Sequence, residues 1–375
     1  MEAFDLALRP APRRLCRVRV GAGALSALVQ DLSRDPPGHP LLVLSDEHVG
    51  PLHALPLVDR LVRNGLAAEP LILPAGESAK TRETKAHVED RLLALGAGRE
   101  SAIVAVGGGV VGDIAGFVAA TWQRGIPVVQ VATSLLAMAD AALGGKTAVN
   151  LPGAKNAIGA FHQPWGVYAD IDLLETLPEP DFVAGFAEIV KAASIADARF
   201  FARLESGVPA LRGRSREALE DAVLCCLRIK AAVVRRDERE AGRRAMLNFG
   251  HTVGHALEAA SDHSVPHGPA VSIGLAAESR FAGSHTGFPE EQVRRVERLL
   301  SALGLPVRLP DGIDEGALAG AARRDKKNRD GRIRCALPLQ LGRMPRGAAV
   351  TFPIDEAEWT AVLREIGPQT AFPAD

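Results

Sequence analysis

Aromatic side chains make up only 4% of the 375 residues, and a single tyrosine is among them. So few rings do not furnish the stacking platform that single-stranded nucleic acid needs. An excess of either charge is missing too. Lys and Arg number 44 against 45 Asp and Glu, a formal net charge of −1, so no global field draws the chain to nucleic acid or to an anionic membrane. The four cysteines (Cys16, Cys225, Cys226, Cys335) form no CxxC pair and no disulfide framework, and read as reduced thiols. No apolar run is long enough to span a bilayer, and Met1–Arg14 lacks the hydrophobic segment of a secretory leader; the expected location is the cytoplasm. What is present is a core-forming composition, 47% hydrophobic and 24% charged, in a chain long enough for about two domains.

The first half alternates short apolar runs with helix-period segments. Leu41–Leu44, Pro70–Leu73, Ala102–Val106 and Val128–Val131 read as buried strands, and Val58–Asn64, Arg82–Leu95 and Val110–Ala120 as helices. This alternation predicts βαβ units and a mostly parallel sheet whose ligands bind at the carboxyl ends of its strands. After Leu177-Pro178-Glu179-Pro180 the pattern becomes helical, with 181–205, 215–240, 248–260, 268–287 and 290–303 as expected helices; a strand-like run returns only near Arg332–Leu337. A nucleotide-binding α/β domain over 1–178 and a mainly helical domain over 179–375 follow, with loose termini at 1–14 and 366–375.

Asn248-Phe-Gly-His251-Thr-Val-Gly-His255 carries the most chemical information. Residues four apart share a helix face, with Cβ atoms roughly 5–6 Å apart. His251 and His255 can therefore serve one centre, and His267 follows in Val265-Pro266-His267-Gly268. Glu188 and Lys191 stand upstream at helical spacing. Any one of these histidines is accounted for by a core position on an amphipathic helix. Three of them with Glu188 point to a divalent metal, zinc first.

Val106-Gly107-Gly108-Gly109-Val110-Val111-Gly112-Asp113 satisfies G-x-G-x-x-G between an expected strand and an expected helix. Such a turn lets backbone approach a diphosphate at a helix N-terminus. The motif is not on the first strand, and no acidic residue follows about 20 residues later, so a turn that packs helix on sheet explains it equally well. Cations are dense around Arg124, Lys146, Lys155, Lys191, Lys230, Arg244 and Lys326-Lys327. Singly each reads as a surface residue; converging beside a metal, they would specify a multiply charged phosphate or carboxylate substrate.

Taken in order, Gly107–Asp113, Gln123-Arg124-Gly125, Asp140, Gly144–Thr147, Lys155-Asn156, Ile158–Phe161, Glu188-x-x-Lys191, Asp237–Glu240, Asn248–His255, His267-Gly268 and Asp325-Lys326-Lys327 resemble the 3-dehydroquinate synthase family of sugar phosphate cyclases, over about 41–345. The resemblance implies an N-terminal α/β nucleotide-binding domain, a helical metal domain, an active site in the cleft between them, and a homodimer. It implies conversion of 3-deoxy-D-arabino-heptulosonate 7-phosphate to 3-dehydroquinate and phosphate, in the shikimate route to aromatic amino acids. The implied steps are transient oxidation by NAD, β-elimination, reduction and intramolecular aldol closure, aided by zinc or cobalt.

By position, the resemblance makes Glu188, His251 and His267 metal ligands. Asp46, Glu77, Lys80, Gly109, Val110, Val111, Gly112, Asp113, Thr133, Ser134 and Thr176 become NAD contacts. Lys146, Asn156, Asn248 and His255 hold the phosphate end, with Arg124 offered by the neighbouring subunit. Lys230, Arg244 and one of Lys326 or Lys327 meet the carboxylate. Asp140 and Lys191 lie beside the reacting hydroxyls, Lys155 lies between cofactor and substrate, and His255 manages protons at the phosphate. Ala132, Ala141-Ala142, Pro269 and His48 depart from the common Pro, Ser-Ser, Glu and Asn of the family. Cyclases making amino-dehydroquinate, valiolone-type or inosose products remain alternatives, as does a net polyol dehydrogenase of the glycerol dehydrogenase type.

Overall fold

The computed structural model describes residues 15–152, 154–262, 264–323, 332–346 and 350–367. Strands and helices alternate through the first part: β1 (Arg17–Val20), α1 (Ala24–Arg34), β2 (Leu41–Asp46), α2 (Leu55–Arg63), β3 (Ala68–Leu73), α3 (Arg82–Ala94), β4 (Ala102–Gly107), α4 (Gly109–Thr121) and β5 (Val128–Ala132). A hairpin, β6 (Lys146–Leu151) with β7 (Ala154–Phe161), precedes β8 (Gly166–Ala169). The main sheet has the order β1-β8-β5-β4-β2-β3, and all of its pairings are parallel.

Both faces of the central strands are covered, which is why their sequences are continuously apolar. Val43, Val104 and Val129 pack with Leu28 and Leu32 of α1 and Leu57 and Leu61 of α2. Their neighbours Leu42, Leu44, Ile103 and Val128 pack with Val88 and Leu92 of α3 and Ile114 and Val118 of α4.

The second part comprises α5 (Glu179–Ala196), α6 (Ala198–Arg212), α7 (Arg216–Arg236), α8 (His251–Ala260), α9 (His267–Thr286), α10 (Glu290–Ala302) and α11 (Glu315–Arg323), then β9 (Ile333–Ala336), β10 (Thr351–Ile354) and α12 (Glu356–Glu365). One continuous core joins these helices to the α1/α2 face of the sheet. The α/β architecture with a helical second part is the one expected, with local differences. The expected helix 181–205 is two helices, because the Asp197 carboxylate accepts N–H groups of Arg199 and Phe200 and starts α6. The expected helix 248–260 begins at His251, and Asn248 instead ends a 3₁₀ turn over 243–248. The strand near 332–337 pairs antiparallel with β10, which its Pro353 concealed.

Backbone contact sets the relation of α5, α8 and α9. A Cβ on Gly274 of α9 would lie 1.9 Å from the carbonyl oxygen of Gly250, and one on Gly268 2.3 Å from that of Ala184 in α5. Only glycine permits so close an approach, and it brings Glu188, His251 and His267 to one place.

Candidate active site

The amino end of α8 is closed by a buried carboxylate from α9. Glu278 accepts the N–H groups of Gly250 (2.7 Å), Thr252 (2.8 Å) and Val253 (3.0 Å). These N–H groups have no intrahelical acceptor and carry the positive end of the helix dipole, so an anion is favoured there. His251 and His255 are thereby placed on a fixed turn, with ring centroids 5.2 Å apart.

Glu188, His251 and His267 present ligand atoms that all lie within 4.8 Å of one another. Glu188 Oε1 is 3.4 Å from His251 Nε2 and 3.5 Å from His267 Nε2. Both oxygens of Glu188 are buried, and neither takes a well-aligned hydrogen bond. A buried, under-satisfied carboxylate facing two imidazole nitrogens fits a tetrahedral dication with an open position. Burial pushes the Glu188 pKa up, but Lys191, in ion contact with Oε2, and His267 together outweigh it and leave the group below the ordinary range.

A cation cluster adjoins this set. Lys191 is 2% exposed and stands 4.0 Å from Asp140 Oδ1. Lys230 reaches Asp140 Oδ1 at 2.9 Å and donates to the Asp140 carbonyl at 2.6 Å. Burial opposes ionisation of Asp140, yet Lys191 and Lys230 together hold its pKa far below normal. Burial lowers the pKa of Lys230, while the two carboxylates beside Lys191 raise that of Lys191 against the same penalty. Arg244 is buried and donates to the Gly144 carbonyl at 2.9 Å. Lys146 pairs with Glu240, which also accepts from Asn248 Nδ2 at 2.9 Å. His267 lies between two carboxylates: burial works against its charge, but the close approach of Glu188 and Glu258 pushes its pKa up to about 9.

The glycine turn lies at the carboxyl ends of β4, β2 and β5. Gly108 and Gly109 are not crowded, an added Cβ meeting only Ser134 Oγ at 3.6 Å and Ala141 Cβ at 3.5 Å, ordinary van der Waals contact. Gly112 instead packs on Gln130, so only part of the motif is a cradle. Beside it, Val110 and Val111 open α4, and Asp113 pairs with Lys80, which also donates to Asn156 at 2.6 Å. Asp46 ends β2 and accepts the N–H groups of His48 and Val49. The Thr133 N–H donates to the Gly107 carbonyl, and Ser134 Oγ accepts from Ala137 N–H. Glu77 accepts from Asn150 and stands 3.9 Å from Lys155. An open glycine cradle at a helix start, flanked by Asp46 and Lys80, fits a dinucleotide.

Not every expected residue converges. The Asn156 carbonyl oxygen accepts from Lys80, which pairs with Asp113. The Thr176 hydroxyl is engaged by His53 at 2.8 Å and by the Leu173 carbonyl. Arg124 is exposed in a left-handed backbone turn and, among the described residues, makes no contact with the cluster. Lys326 and Lys327 lie outside the described residues. Three buried or half-buried carboxylates were not anticipated in the site. Glu258 was legible as the third residue after His255, and Glu240 as the end of the mixed-charge stretch Asp237–Glu240. Glu278, 23 residues beyond His255, left no local signal.

Comparison with known proteins matches residues 70–184 to the 3-dehydroquinate synthase N-terminal family model and 185–328 to its C-terminal counterpart. The chain is 39% identical over 349 residues to the 3-dehydroquinate synthase of Desulforamulus reducens, covering 93% of this chain and 96% of that one. It is 46% identical over 308 residues to that of a Synechococcus species, covering 81% and 84%. Among solved structures it resembles a 2-deoxy-scyllo-inosose synthase complexed with carbaglucose-6-phosphate, NAD+ and Co2+, with TM-score 0.85, 27% identity, and 94% and 99% of the two chains covered. A 2-epi-5-epi-valiolone synthase of Streptomyces hygroscopicus with bound NAD+ and Zn2+ gives TM-score 0.85 at 26% identity, covering 97% and 99%. Glycerol dehydrogenase of Schizosaccharomyces pombe shares the fold, at TM-score 0.66 and 15% identity.

Proposed function

The chain belongs to the 3-dehydroquinate synthase family, and on that premise we propose that it converts 3-deoxy-D-arabino-heptulosonate 7-phosphate to 3-dehydroquinate and phosphate. The observation that carries this reading is the adjacency of the Glu188–His251–His267 set to Asp140, Lys191, Lys230 and Arg244. A neutral polyol has no use for so many buried cations. A phosphorylated sugar acid does.

Glu188, His251 and His267 would hold the divalent ion, and the turn at Gly108–Gly109 would receive the diphosphate of NAD. When bound, the ion supplies Lewis-acid polarisation and NAD a reversible hydride acceptor, so no net redox product forms. The protein's own residues bind and orient a flexible polyanion. Lys230 and Arg244 would take the carboxylate, with Lys326 or Lys327. Lys146 and Asn248 would meet the phosphate, with His255 managing its proton and Asn156 closing from the hairpin side. Asp140, kept ionised by Lys191 and Lys230, would accept hydrogen bonds from substrate hydroxyls. Arg124, exposed and in no ion pair among the described residues, would reach the site of a second copy in a homodimer. The division into an NAD-binding unit and a helical unit near residue 178 belongs to the same proposal, as does a lyase assignment.

Higher identity to dehydroquinate synthases than to the inosose and valiolone cyclases favours the carboxylate-bearing substrate. The test mixes purified protein with the heptulosonate 7-phosphate, catalytic NAD and Zn2+, and follows phosphate and dehydroquinate together. Equal yields without NADH accumulation, abolished by chelator, are expected. No turnover would reject this substrate, and steady NADH formation with a polyol would make the protein a dehydrogenase.

A further inference from the structure

Glu258 is 3% exposed on α8, three residues after His255 and seven after His251, on the face that carries both. Its two oxygens serve different parts of the molecule. Oε1 is 2.8 Å from Lys155 Nζ on β7, the strand whose hairpin flanks the glycine turn. Oε2 is 3.4 Å from His267 Nδ1 and 4.0 Å from His255 Nε2. The Lys155 ammonium on Oε1 pairs with Glu258 as a carboxylate, with the two imidazoles on its other oxygen.

An ionised carboxylate can only accept. Against His267 Nδ1 it therefore selects the tautomer with the proton on Nδ1. The lone pair then sits on Nε2, the nitrogen that faces Glu188 and His251. With Glu258 neutral or an amide, either tautomer is accommodated, and the one with Nε2–H cannot ligate a metal. Lys155 on the other oxygen stands 3.9 Å from Glu77, so the position of the hairpin is felt at the same carboxylate.

Resting on the proposed metal site, we infer that Glu258 is a positioning residue that fixes His267 in its ligating tautomer and, through Lys155, ties the hairpin beside the glycine turn to the metal ligand set. His255, Glu258 and His267 also lie within 4.8 Å of one another and could be read as a second metal site. Lys155 already fills that side of the carboxylate with positive charge, which argues for one ion.

The test titrates metal-free wild type, Glu258→Gln, Glu258→Asp and Lys155→Met with Co2+, with and without NAD, by visible absorption and competition against a chelating dye. Glu258→Gln is expected to lower Co2+ affinity by about 10- to 100-fold, the range for loss of such outer partners. Glu258→Asp should recover part of it, and Lys155→Met should change it by less than about threefold. The factor by which NAD changes Co2+ affinity, equal by linkage to the reverse factor, should shrink in both Glu258→Gln and Lys155→Met. Wild-type-like affinity in Glu258→Gln, or two equivalents of Co2+ per wild-type chain, overturns the inference and leaves the proposed activity standing. Failure of the wild type to bind Co2+ overturns both. Thermal melting of each metal-free variant separates a folding defect from a loss of affinity.

Discussion

The ammonium of Lys191 meets Oε2 of Glu188 and leaves Oε1 to His251 and His267. In the proposed metal site, one carboxylate would thus serve a fixed cation on one side and an exchangeable one on the other. Lys191→Met should raise dication affinity by roughly tenfold or more, because a competing positive charge is removed. The metal-free protein should lose about 3–5 kcal/mol, since Glu188 is left buried without its partner. Turnover should fall despite the tighter metal. Equilibrium dialysis with Zn2+ and urea unfolding of the metal-free form check both halves.

The position of His267 between two carboxylates gives metal uptake a definite pH trend. Its pKa of about 9 means that a dication arriving at neutral pH must displace a proton. Apparent affinity should therefore climb by about tenfold per pH unit from 7 towards 9 and flatten above. Stability of the metal-free form runs the other way. A raised folded pKa contributes fully below the ordinary histidine value, and the contribution is lost as pH rises through about 9. Calorimetry in buffers of different ionisation enthalpy counts the released proton, and melting curves in chelator give the second trend.

Removing the carboxylate that closes α8 should cost folding and function together. Glu278→Gln keeps shape but loses the charge that takes three N–H groups, and about 2–4 kcal/mol of stability should go with it. Metal affinity should drop as well, because His251 is the first residue of the loosened turn. Urea denaturation with a parallel Co2+ titration reads both.

Two glycines of α9 offer a matched pair. Gly274→Ala drives a methyl onto the Gly250 carbonyl and should destabilise by about 3 kcal/mol or more. Gly283→Ala, whose Cβ would meet nothing nearer than 3.7 Å, should be neutral or stabilising by up to about 1 kcal/mol. Chemical denaturation of the two variants decides between close helix contact and mere helix propensity as the reason for glycine at 274.

The sheet was legible because strands covered on both faces must be apolar throughout, as Leu41–Leu44 and Ala102–Val106 are. The histidine helix was legible because a four-residue spacing is a statement about one face. Less could be read where long-range partners decide. Asn156 is drawn to Lys80, 76 residues away, and Glu278 acts on a helix end across a gap that no local pattern marks. The hairpin of β6 and β7 was hidden because Gly, Asn and Lys dilute its alternation. Lys326 and Lys327 fall outside the described residues.

The contact of Gly274 with Gly250, and of Gly268 with Ala184, has a consequence for how such a protein can change over time. Helices that touch backbone to backbone have no side chains between them to enlarge, shrink or repack, so the spacing of Glu188, His251 and His267 is nearly closed to gradual substitution. The wall that carries Asp140 differs: Ala141 is half-buried beside Gly109, where a methyl can become a hydroxyl without disturbing a helix crossing. Novel products in a lineage built on this frame would arise from that wall, while the proposed ligand set is inherited as a block.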